Sequence, residues 1–168
     1  MPEYELEKYV WSQDDFDRMG WHDCCIYSIA FFPFVFPDNP NDVDSYKPSE
    51  LAIDLDYIFE WIDPEEGDVY FRYMISPSTL VFSNVYDIQI KSKNCEMIID
   101  SITRDDERKR KNKKSIDWLW KITCHSGSIC FRSEGFLQYT RKAPELCHNP
   151  WRELEKRGGI SFNREVNI

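Results

Sequence analysis

A mainly β fold is what this sequence predicts: an antiparallel sheet curled into a sandwich or open barrel, with short helices near both termini. Three observations carry that expectation. In "ELAIDLDYIFEWI" the odd positions Leu51, Ile53, Leu55, Tyr57, Phe59 and Trp61 are all apolar, the period of two that marks a strand with one face in a core. The same alternation returns in "IDWLWKITCHSGSICFRS". Helix start and stop signals are confined to the two ends.

Taken in chain order, "SQDDFDRMG" offers Ser12 as an N-cap and Gly20 as a stop, and so reads as a short helix. "MGWHDCCIYSIAF" then gathers a tryptophan, a histidine, a carboxylate and two cysteines where a turn gives way to an apolar strand. "FPDNPNDVDSYKPSE" is a polar, proline-rich loop. Residues 50 to 75 read as a hairpin: Val69, Phe71, Tyr73 and Ile75 repeat the alternation, and "DPEEGD" supplies Pro64 and Gly67 to the connection. "VYDIQIK" and "EMIIDSI" add strands, with "KSKN" as the turn between them. Residues 104 to 114 form a loop or an extended hairpin tip. In the next hairpin, a turn at Ser126-Gly127 opposes Ile122 with Phe131 and Cys124 with Ile129. Trp118, Trp120, Ile122, Cys124, Ile129 and Phe131 then share the core face, while Asp117, Lys121 and Arg132 fall on a wet one. "GFLQYTR" extends the sheet. "NPWRELEKRGG" closes with a helix capped by Asn149, begun at Pro150 and stopped at Gly158.

A chain of 168 residues with 42% hydrophobic and 15% aromatic content is long and apolar enough to fold as one domain spanning 1–168. The net charge of −9 disfavours nucleic acid or an anionic membrane as the main partner. That charge is uneven: residues 104 to 114 hold seven basic and three acidic side chains, a local +4, leaving −13 for the rest. An acidic body suits a basic protein partner. No apolar run approaches the roughly 20 residues of a membrane span. The opening "MPEYELEKYVWS" has no basic region leading into an apolar stretch, so a reducing cytoplasm is the expected compartment.

The six cysteines show no CxxC pair, and Cys124-His125 with Cys147-His148 fits no zinc spacing. No cofactor, metal ion or catalytic set is expected. Two groups stand out as partner-binding residues. Asp54, Asp56 and Glu60 lie on the even face of their strand as a solvated acidic stripe, and Trp21, His22 and Asp23 sit at a sheet rim. His22 and Asp23 point to opposite faces if the chain there is extended, so contiguity alone does not make them a base and its orienting carboxylate. The alternative is a small metal-dependent or hydrolytic enzyme built on His22, Asp23, Asp54 and Asp56, since carboxylates at i and i+2 can share a hard cation.

Through "GWHD", "ELAIDLDYIFEW", "STLVFSNVYDIQI", "GFLQYTRKAP" and "RGGISF", the chain resembles a group of small bacterial proteins, some of them similar to immunity proteins of polymorphic toxin systems. The resemblance implies a cytoplasmic protein that neutralises a basic toxin by binding it.

Overall fold

The computed structural model describes residues 4–111 and 114–166. Ten strands follow one another: β1 (Val10–Ser12), β2 (Cys25–Phe32), β3 (Glu50–Ile62), β4 (Arg72–Ser83), β5 (Tyr86–Ser92), β6 (Ile99–Lys109), β7 (Ile116–Cys124), β8 (Gly127–Ser133), β9 (Gly135–Thr140) and β10 (Glu145–Cys147). All pairings are antiparallel. One sheet runs β1-β9-β4-β3-β2, with β10 also on β4; the other runs β5-β8-β7-β6. The two pack face to face without closing into a barrel, which resolves the expected alternatives in favour of the sandwich.

The core is made by the alternation seen in the sequence. Leu51, Ile53, Leu55 and Tyr57 of β3 meet Trp120, Ile122, Ile129 and Phe131 of the facing sheet, all buried. Phe82 of β4 ties the layers, its ring 5.1 Å from Trp120 and 4.7 Å from Phe131. Trp21 is buried beside them and donates its indole N–H to Gln138 Oε1 at 2.8 Å, which satisfies the indole inside the core.

Several details differ from the sequence reading, each for a local reason. The β7–β8 turn is His125-Ser126, and Cys124 opposes Gly127, Ile122 opposes Ile129 and Trp120 opposes Phe131. The register is two residues from the expected one, so the core face is the same. Gly127 lies in the strand because β5 crosses it: a Cβ there would meet the Lys91 carbonyl oxygen at 1.9 Å. β5 and β6 are not a hairpin, since they occupy opposite edges of their sheet. The "KSKN" connection instead wraps the tip of β7–β8, where Lys93 N–H donates to Ser126 O and His125 N–H to Ile98 O. β4 runs through Pro77, which a central strand tolerates here because its neighbour breaks: Arg141 N–H bonds Pro77 O between β9 and β10. Val69, Tyr70 and Phe71 belong to an exposed connection, not to β4.

The ends behave much as expected. Ser12 caps a 3₁₀ helix, Gln13–Arg18, in a reciprocal box with Asp15, although Met19 ends it before Gly20. The closing helix, α1 (Leu154–Arg157), is one turn only; Gly158 stops it at φ 90°, while Asn149 accepts from Trp151 N–H in a turn ahead of it. The basic run is mostly β6 and the hairpin tip after it, with Lys113 outside the described residues.

Candidate functional site

The expected stripe of Asp54, Asp56 and Glu60 is not one surface. Asp54 and Asp56 are completely buried, and Glu60 is exposed. The outer face of β3 also carries Ala52 and Ile58, and the chain after β9 folds back over it. That segment delivers three arginines. Arg157 forks onto Asp54, Nη1 to Oδ2 at 2.8 Å and Nη2 to Oδ1 at 2.7 Å, and its Nε reaches Asp56 Oδ1 at 3.0 Å. Arg141 Nη2 donates to Asp54 Oδ1 at 2.7 Å, and Arg152 grips Asp56 through Nε at 2.8 Å and Nη2 at 3.0 Å. Ser161 N–H adds a bond to Asp54 Oδ2 at 3.0 Å.

Three of the four carboxylate oxygens thus accept two hydrogen bonds each. Tyr27 of β2 completes the cluster: its hydroxyl donates to Arg152 O and accepts from Arg152 N–H, and its ring lies 4.0 Å from the Arg157 guanidinium carbon. Two aspartates against three guanidiniums, with Glu145 Oε2 3.6 Å from Arg152, leave the cluster nearly neutral. This is a latch that holds the C-terminal segment to the sheet. Bidentate geometry and full satisfaction offset the desolvation of each charge. The sequence contained one sign of it: a strand face that places Ala52, Ile58 and Ile62 beside its aspartates is an apolar face, not a wet one.

Asp117 corrects the sequence reading in the same way. Its face was expected to be wet, yet it is 1% exposed, and Arg132 Nε at 2.9 Å and the Tyr86 hydroxyl at 2.7 Å both donate to it. Arg110 from the basic run approaches at 3.4 Å and bonds Glu134 at 2.7 Å. Arg104, also of that run, lies over the rings of Phe16, Trp118 and Trp120, at 4.8, 5.1 and 5.8 Å. Part of the basic run therefore serves the fold.

At the rim, Trp21 is a core residue, as the hydrogen bond to Gln138 requires. His22 stands exposed. Asp23 adopts φ 63°, and that left-handed turn swings its carboxylate to 3.3 Å from His22 Nδ1. The two side chains expected to diverge therefore meet, because the chain there is not extended. Asp100 stands 3.9 Å from His22 Nε2. Trp61 packs its ring 6.1 Å from the imidazole, and Phe71 and Tyr73 follow at 5.9 and 5.2 Å from Trp61. A bulge between Ile58 and Glu60 shifts the register of β3, so that Trp61 stands opposite Tyr73 at this surface while Glu60 stands opposite Met74 on the other face. The freed Ile58 N–H points at Cys24 Sγ, 3.5 Å away.

These positions separate the four residues of the hydrolytic reading. His22 and Asp23 share a surface, Asp54 and Asp56 are sealed among arginines, and no hydrogen bond or ion pair joins the halves among the described residues. Nor do three His, Cys, Asp or Glu side chains gather there as a metal would require. The thiols are free, and burial pushes Cys24 up to about 12 and Cys124 up to about 11, away from thiolate chemistry.

Fold and site together define a two-sheet antiparallel sandwich with an arginine latch behind one sheet and an exposed aromatic end ringed by carboxylates. No protein family, curated protein or solved structure matches the chain. No helix among the described residues is long and apolar enough to cross a membrane.

Proposed function

We propose that this is a non-enzymatic binding protein of the cytoplasm that neutralises a basic toxin by covering it with an acidic surface. The observation that supports this reading is where the charge lies. Arg132, Arg141, Arg152 and Arg157 keep their charge inside, against Asp54, Asp56 and Asp117. Two exposed connections carry carboxylates alone, Asp38, Asp42 and Asp44 in residues 37–46 and Asp63, Glu65, Glu66 and Asp68 in residues 63–71, with no lysine or arginine in either stretch. Such a surface steers a cationic partner and rejects anionic ones.

The test is association with the purified products of the two flanking reading frames, followed by stopped flow at low and physiological salt. A complex whose association rate falls as salt rises, and which abolishes the partner's toxicity, is the expected result. No complex with either product at micromolar concentration overturns the reading.

A further inference from the structure

The aromatic end beyond β3 has more exposed ring surface than the core explains. Trp61 is 41% exposed and Phe71 41%, and Tyr70 beside it is 79% exposed. Trp151, 47% exposed, extends the same surface by donating its indole N–H to Asp23 O at 3.3 Å. Rings and imidazole therefore form a continuous floor, from Trp151 through Asp23 and His22 to Trp61 and Phe71. Asp23 and Asp100 stand beside its imidazole, and the connection that follows Trp61 carries Asp63, Glu65, Glu66 and Asp68. The one cation of residues 60–72, Arg72, is tied to Glu65 at 2.5 Å with its side chain 15% exposed.

We propose that this floor is the docking surface for an arginine-bearing face of a basic protein partner. The proposal rests on the partner-binding reading above and names where and how it operates. A guanidinium is planar and weakly hydrated, so it stacks on an indole and still bonds a carboxylate at the floor's edge; an ammonium does only the second well. Exposed tryptophan and tyrosine ringed by complementary charge is also the composition in which binding energy concentrates. A second copy of this chain is a poor occupant, because a two-fold contact would set the same carboxylates against themselves. The other exposed apolar region, around Phe34, Phe36 and Tyr46, closes its rings on one another at 4.9 to 6.3 Å and lies by a cleft that includes Lys47 and Arg164. Rings that already cover one another leave less face for a guanidinium, which makes it the weaker match.

The experiment titrates the full-length, ¹⁵N-labelled chain with an oligo-arginine peptide and with an oligo-lysine peptide of equal length. Expected are shifts in the Trp61 and Trp151 indole signals and in amides 22–23 and 60–71, with tighter binding of the arginine peptide. Trp61→Ala should weaken that binding about tenfold, with the buried Trp21 and Trp120 indole signals unmoved to show an intact fold. Tyr70→Ala, in an exposed connection, gives a second measurement in which folding is not at stake. Shifts centred on residues 31–46, equal affinity for both peptides, or variants that bind like the wild type overturn the proposal. A flanking-gene complex that is indifferent to Trp61→Ala and Tyr70→Ala refutes this surface but not the partner. Peptide binding on the floor with no flanking-gene complex refutes the partner but not the surface.

Discussion

Asp56 and Glu60 are four residues apart on one strand, and they have opposite fates. Asp56 is fully buried and held by Arg152 and Arg157; Glu60 faces solvent near the strand's end. The backbone between them differs by a single bulge. Two things separate them: the segment after β9 lies over the outer face of β3 at 54 and 56, and the bulge turns Glu60 to the other face, opposite Met74 where Asp56 stands opposite Pro77. A carboxylate on a strand is thus a structural anchor or an interaction group according to which distant segment returns to it, and Asp117, Asp15 and Glu60 form a graded series for testing that.

The largest effect is expected at the centre of the latch. Arg157→Ala leaves Asp54 and Asp56 short of partners and strips the cover from Tyr27, and should destabilise by about 3 to 5 kcal/mol in urea unfolding. Asp117→Ala comes next at about 3 kcal/mol, because it takes the buried partner from Arg132, leaving it only Asp106, and the acceptor from the Tyr86 hydroxyl. If it instead unfolded like the wild type, the outer face of the second sheet would be wet and the comparison would fail there.

Asp15 lies between the extremes. It is buried but faces the half-exposed Lys8 at 2.6 Å and accepts from Ser12 N–H. Asp15→Ala should cost about 1 kcal/mol as a lost capping group. The Lys8 hydrogen bond, then that of Ser12, holds the Asp15 carboxyl below its ordinary range. A lowered folded value means a contribution that is present above the ordinary pKa and lost as pH falls through the folded one. Urea midpoints of wild type and Asp15→Asn should therefore converge below about pH 4. The smallest effect belongs to the bare end: Glu60→Gln with Asp63→Asn should move stability by less than about 0.5 kcal/mol. The same pair should slow association with a basic partner at low salt, which separates binding from folding.

Much of the frame was legible because it rests on local rules. The alternation of β3 places its core face correctly from Leu51 to Tyr57, beyond which a bulge takes Trp61 off that face; Ser12 and Gly158 mark real helix ends, and the residues of the second-sheet hairpin share the core face expected of them. Local signals misled where a second segment intervened. Gly127 has the chemistry of a turn residue, and no sequence pattern reveals that the end of β5 lies against it. "KSKN" has turn chemistry but joins no hairpin, because strand adjacency in sequence says little about adjacency in a sheet. The solvated stripe fails for the same reason at greater range: Arg157 follows Asp54 by 103 residues, and beside the aspartates only Ala52, Ile58 and Ile62 hint that the face is covered. His22 with Asp23 was missed as a contact because a positive φ at an aspartate is a property of the turn, not of composition.

The most direct measurement is the urea unfolding of the Asp54→Asn, Asp56→Asn double variant beside the wild type, with a chelator present. Burial of both carboxylates among Arg141, Arg152 and Arg157 predicts a loss of at least about 3 to 5 kcal/mol, since three guanidiniums would remain inside without their counter-charges. A double variant that unfolds at the wild-type midpoint, or above it, would put both aspartates in water and contradict the latch.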